Sequence, residues 1–300
     1  MKIENKLIKY FAVGVSVAMS VLSLNSKEAS AEEQGDLLRQ MIRPIADPIN
    51  FEDPRIINEI HPFFVYHDLN DDFVTGGGQV TAWAAQIRIA LTEDLALIAN
   101  KDGYLNLQAD EVLNDASGSL NLEGGLKYAI YKDAAEGEIV SAGVKYQAAT
   151  GDPDIFQGQG DGIITPFVSA AAYLGGINVM GSTELRIAVN DDDSSFWDVN
   201  FHANYPIGDF YPLVELSMFH VYDAGNRLPL PGEGADVLNL GASGADGDTT
   251  VNLSVGARYR LCPNSDIGVS YTFPLDEDQD VFGTRWTTDL VVSWYDWTLF

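Results

Sequence analysis

The chain predicts an all-β fold, an antiparallel up-and-down transmembrane β-barrel of about 12 strands. Three observations lead there. Apolar and polar residues alternate through many strand-length stretches, and a strand sends successive side chains to opposite faces. Beyond Ala31 no run of about 18 apolar residues exists from which a membrane helix could form. The connections between the alternating stretches are short and long by turns, as in barrels with one tight rim and one looped rim.

The first 31 residues stand apart. Lys2, Lys6 and Lys9 precede an apolar run from Phe11 to Leu24, which is followed by Ala29-Ser30-Ala31. A basic start, a short apolar core and a small-residue cleavage site together read as a secretory signal peptide over 1–31. The apolar run is too short to serve comfortably as a membrane anchor. The formal charge of the whole chain is −27. Such an acidic balance excludes nucleic acid as a partner, because backbone phosphates demand Lys and Arg. Cys262 is the only cysteine, so the chain has no disulfide framework.

Residues 32–54 form a periplasmic leader or a partial lumen plug. Leu37, Leu38, Met41 and Ile42 allow a turn or two of amphipathic helix, and Pro44, Pro48 and Pro54 stop anything longer. The barrel domain is expected over 55–300, with strands near 55–67, 79–92, 94–106, 118–131, 138–149, 163–174, 177–189, 195–205, 209–222, 249–261, 265–274 and 284–298.

The phases of several strands are clear. Over Ser119 to Tyr131, Leu120, Leu122, Leu126, Tyr128 and Ile130 share one parity, against Asn121, Glu123 and Lys127. In 177–189, Ile177, Val179, Leu185 and Ile187 oppose Asn178, Ser182, Glu184 and Arg186. In 195–205, Trp197, Val199 and Phe201 oppose Asp198, Asn200, His202 and Asn204. In 249–261, Val251, Leu253, Val255 and Tyr259 oppose Asn252, Ser254, Arg258 and Arg260. Strands 94–106 and 163–174 alternate less cleanly, and Lys101, on the lipid parity, predicts a rim position or a β-bulge.

Tight turns are expected at Thr92-Glu93, 132–136, Gly175-Gly176, 206–208 and 262–264. The other rim carries longer, Asp-rich loops, of which 223–248 is the longest and richest in Gly, able either to fold inward or to stay mobile. Hard divalent cations favour several carboxylate oxygens, and such ions would bridge the loops to lipopolysaccharide phosphates. No loop has EF-hand spacing, however, and a solvated, repulsive acidic rim is the preferred reading. No metal or other cofactor is expected.

The chain closes on Trp294-Tyr295-Asp296-Trp297-Thr298-Leu299-Phe300. This resembles the C-terminal strand of bacterial outer-membrane β-barrel proteins of the porin-like class, which commonly finish on Phe with apolar residues at alternate positions. Asp296 and Thr298 depart from that pattern. The resemblance implies a Gram-negative-type outer membrane, with membrane lipid and lipopolysaccharide around the barrel and a small polar solute within it.

Seven basic residues fall on the lumen parity: Arg88, Lys127, Lys145, Arg186, Arg258, Arg260 and Arg285. Seven acidic residues join them: Glu59, Asp102, Glu123, Glu184, Asp198, Glu215 and Asp289. His202 shares that face. Fixed charges along a pore set its solute preference. The same numbers also suit a salt-bridged, water-poor interior that only braces the wall. The aromatics, among them Trp83, Trp197, Trp286, Tyr128 and Tyr205, suit interfacial girdles, while Tyr131 and Tyr295 have lumen parity.

No zinc spacing, phosphate loop or G-x-S-x-G motif is present. Ser217 and His220 lie three apart, on opposite faces of a strand. An enzyme is therefore not expected. The function expected is a porin-like channel or passive transporter for small polar or charged solutes. The alternative is a non-conducting structural or surface-interaction barrel.

Overall fold

The computed structural model describes residues 36–234, 236–275, 281–294 and 297–300. The expected signal peptide, Tyr295 and the acidic run 276–280 lie outside them. Twelve antiparallel staves close into a barrel. They are β1 (Asn58–Leu69), β2 (Gly78–Ala90), β3 (Leu95–Lys101 and Tyr104–Ala109), β4 (Ala116–Ser119 and Leu122–Asp133) and β5 (Glu138–Ala148). There follow β6 (Ile163–Leu174), β7 (Ile177–Ala188), β8 (Ser195–Asn204), β9 (Phe210–Asp223), β10 (Thr249–Cys262), β11 (Ser265–Pro274) and β12 (Phe282–Trp294). Each stave pairs with its sequence neighbours, and β1 pairs with β12 to remove the open edge, Phe63 opposite Asp289. Closure is what lets a sheet cross lipid with every backbone group bonded.

The alternation reads out as predicted along most staves. On β4, Leu122, Leu126, Tyr128 and Ile130 are 46–63% exposed on the outer surface, while Lys127 between them is fully buried. Outward aromatics pair across strands, Phe64 against Trp83 at 4.5 Å and Tyr271 against Trp286 at 4.8 Å between ring centroids. The structure is that of an outer-membrane β-barrel, with an apolar outer belt and a charged interior.

Irregularities fall where alternation fails. Lys101 sits at a bulge: the β3–β4 register shifts between Ala99 and Lys101, and the side chain turns inward. Beyond it β3 breaks at Asp102-Gly103. Gly103 has φ +133°, and a Cβ there would lie 2.0 Å from the Trp83 carbonyl, so only glycine fits. Asp102 is half-buried at this break and accepts a hydrogen bond from the Ala85 N–H.

Four expectations need correction. Leu120 does not face lipid. It is 2% exposed and packs inside, because β4 is interrupted at Leu120-Asn121. Tyr131 faces outward, since a second shift between Ala129 and Tyr131 flips its parity; its hydroxyl bonds Glu138 at 3.2 Å. The expected loop 107–117 is shorter, because β3 runs on to Ala109 and β4 begins at Ala116. The last strand ends at Trp294 rather than 298. Trp297 to Phe300 form no strand, though Leu299 and Phe300 still donate N–H groups to Ala90 and Leu91.

The interior has two halves. Toward the long-loop rim most inward residues are apolar, Phe63, Val65, Val80, Leu105, Leu107, Phe196 and Val221, with His67, Arg186 and Arg285 among them. Toward the short-turn rim charged residues join the apolar ones, among them Glu59, Arg88, Lys127 and Glu215. A wall that is apolar on both faces cannot show alternation. That explains the Phe63-Phe64-Val65-Tyr66 run in β1 and the blurred phase of β3.

Candidate functional site

Two pieces of chain occupy the lumen. Residues 36–57 enter at the short-turn rim, where Asp36 caps a single helical turn, α1 (Leu37–Gln40), and the Leu37 N–H donates to the Ala134 carbonyl. From Met41 to Arg55 every residue is buried. Three prolines in this stretch fix φ and interrupt any regular run of N–H donors, so the chain stays irregular. It therefore bonds to wall side chains instead of extending the sheet.

The contacts span the whole circumference. The Arg43 guanidinium reaches Glu59 on β1 at 2.9 Å and Gln86 on β2 at 2.8 Å. The Ile45 and Ala46 N–H groups both donate to the Glu215 carboxylate on β9, at 2.9 and 2.6 Å. His202 on β8 bonds the same carboxylate at 2.7 Å. Glu52 sits against Arg88, Lys127 and Asn100 of β2, β4 and β3. Lys127 also donates to the Asp53 carbonyl, and Ser141 on β5 to that of Pro54. Apolar contacts complete the seat. Met41 and Phe51 pack on Ala129, Ile139, Ala171 and Met180, and Ile42 and Ile45 on Tyr211 and Leu213. Gly268 on β11 lets this segment lie against the wall; a Cβ there would come 2.6 Å from Ile45 and 2.5 Å from Asp289.

Most of the remaining wall charges pair with one another. Lys145 holds Glu184 at 2.8 Å and lies 3.6 Å from Glu123; Arg186 forks onto Asp198 at 2.6 and 3.1 Å. Asp289 receives both Arg258 and His61 at 2.7 Å. Arg260 is at the short-turn rim, half-exposed, bonding Asp266 and the Gln40 carbonyl.

The second occupant is the loop 224–248. Leu230, Val237, Leu238, Leu240, Ala242 and Ala245 are buried against the apolar inner wall. Glu233 organises it, accepting from the Ser194 hydroxyl and from the Leu240 and Ala242 N–H groups at 2.6 to 2.8 Å. Arg227 pairs with Asp193, and Arg285 on β12 pairs with Asp236 of the loop. Burial pushes the Asp193 carboxyl up from its ordinary range against the pull of Arg227.

Of the residues that the sequence assigns to the lumen, Arg88, Glu123, Lys127, Lys145, Glu184, Arg186, Asp198, His202, Glu215, Arg258, Arg285 and Asp289 are all buried in the interior. Arg260 is at its lower edge. Their partners on the inserted segments, Arg43, Glu52, Asp53, Glu233 and Asp236, were not singled out by sequence reasoning. For the first three the only trace is the set of charges between the prolines of 43–55, and Glu233 and Asp236 leave none. Ser217 points inward, whereas His220 lies on the outer face and bonds the Thr249 hydroxyl at 2.8 Å.

No family model and no curated protein matches the sequence. Solved structures do. An outer membrane channel from Pseudomonas putida F1 superposes with a TM-score of 0.58 at 16% identity, covering 83% of this chain and all of that one. The NanC porin gives 0.49 at 7% identity over 78% of this chain and 98% of its own. The KdgM porin, solved in complex with disordered oligogalacturonate, gives 0.47 at 12% identity over 79% and 99%. The first of these shows a shared fold.

Proposed function

We propose that the chain is a porin-like outer-membrane channel for small polar or charged solutes, described here in a closed state. Residues 41–55 act as its plug and the loop 224–248 as its outer lid. The solute path follows the charged wall, with Arg88, Arg186 and Arg258 facing Glu123, Glu184 and Asp198. Membrane lipid and lipopolysaccharide surround the outer belt and rim.

One observation carries this reading. The polar half of the lumen is completed by a segment that belongs to no stave. Lys127 is held by Glu52 and the Asp53 carbonyl, and Arg88 and Glu215, which also bond Glu59 and His202 of the wall, take further partners from residues 45–53. Burying charged wall groups is costly unless each is paired, and a partner held only by side-chain contacts can leave without opening the sheet. Planar-bilayer recording of the pure full chain tests the proposal. Discrete conductance steps support it.

A second reading, the non-conducting barrel, draws on the apolar packing of the loop 224–248 against Phe63, Leu105 and Phe196. Electrically silent bilayers, in the wild type and in a variant lacking 226–246 alike, favour that one.

A further inference from the structure

Among the contacts that hold residues 41–55, one has the form of a bound ligand. The Glu52 carboxylate is gripped by three buried side chains from three different staves. Arg88 donates to both oxygens, Nε to Oε1 at 3.1 Å and Nη2 to Oε2 at 2.7 Å. Lys127 Nζ donates to Oε1 at 2.7 Å, and Asn100 Nδ2 to Oε2 at 3.0 Å. The Asn100 amide is oriented by a further bond, since its Oδ1 accepts from Arg88 Nη2 at 3.2 Å. A two-pronged arginine with a lysine and an amide donor matches the planar, two-oxygen shape of a carboxylate.

We infer that Arg88, Lys127 and Asn100 form a carboxylate-binding site on the barrel wall, in which Glu52 stands as the chain's own pseudo-ligand. When residues 41–55 withdraw, an acidic solute takes the place of Glu52. The inference rests on the channel reading above and names the solute class that the channel accepts. The charge balance supports it. Glu59 binds both Arg88 and Arg43. Withdrawal removes Arg43 and Glu52 together and leaves Glu59 to offset only one of the two wall cations. The vacated site then carries one net positive charge, complementary to a monocarboxylate. The opposite contact has the reverse polarity: there the wall supplies the acid, Glu215, and the segment supplies N–H donors. An anion therefore has one side of the lumen to bind and not the other.

The test is rescue of a deleted side chain. Glu52→Ala, made in the full chain in detergent micelles, leaves a hole the size of a small carboxylate. Its midpoint for the heat-induced shift in gel mobility is expected to fall. Sodium acetate at a hundredfold excess over its Kd should restore about 5 °C, with matched chloride as the salt control. Acetamide, the neutral isostere, should restore nothing, and acetate should do nothing for wild type or for Glu52→Ala with Arg88→Gln. If Glu52→Ala does not assemble alone, folded yield in acetate against acetamide is the readout. Rescue by neither molecule, rescue equal for both, or rescue that survives Arg88→Gln would overturn the site. Silent bilayers combined with acetate rescue would defeat the channel reading and leave this site standing. A conducting barrel without rescue would remove the site alone.

Discussion

Truncation of Glu215 probes how the N-terminal segment is held. Its carboxylate accepts N–H groups from Ile45 and Ala46 at 2.9 and 2.6 Å, in a setting where all three residues are almost wholly buried. A hydrogen bond to a charged group contributes about 1.5–3 kcal/mol. Glu215→Ala therefore weakens the seat by about 3–6 kcal/mol, which raises the withdrawn fraction by about 10² to 10⁴. Glu215→Gln keeps an acceptor for one N–H and should fall between. Thiol labelling reads this directly. Ile45→Cys is introduced with Cys262, which is exposed, changed to Ser. Labelling by a small charged maleimide in detergent then reports the withdrawn state, because the position is fully buried when seated. The expected labelling rate rises at least a hundredfold in Glu215→Ala. A rate unchanged within about threefold would refute the argument that these bonds seat the segment.

Other perturbations act on separate parts of the account. Leu126→Arg, on the lipid belt, should cost about 2–4 kcal/mol in urea unfolding from lipid if it lies near the midplane. Gly103→Ala meets the Trp83 carbonyl and should lower the yield of heat-modifiable barrel, whereas Gly175→Ala, in a turn with open space around it, should cost only the strain of its φ of +59°. Glu233→Ala removes the acceptor shared by Ser194, Leu240 and Ala242; trypsin should then cut after Arg227 in the outer loop at least tenfold faster, with the barrel intact.

The barrel was readable in the sequence because lipid imposes one rule on every stave. A residue facing hydrocarbon must be apolar, so period-two alternation marks nearly every crossing, and the tight turns locate the ends. The reading failed where that rule lapses. Leu120 and Tyr131 have the right residue types for their expected faces, but a break and a bulge next to them reverse the parity. The charged interior was also legible as a set of residues, from Arg88 to Asp289. Its pairing was not. Glu52 with Lys127 and Ile45 with Glu215 join positions far apart in the chain, through a stretch that has no periodicity of its own. That the loop 224–248 folds inward rather than staying mobile could not be chosen for a related reason. Its leucines and alanines are buried by inward apolar residues such as Phe63 and Leu107, and on the staves these only look like weakened alternation.

The most direct test is ionic current through the full chain compared with the chain lacking residues 36–57, both reconstituted in planar bilayers. The account predicts rare or small openings for the former and steady, larger conductance for the latter, with preference for anions once Arg88 and Lys127 are uncovered. Equal current from both would contradict the plug, and no current from either would contradict the channel.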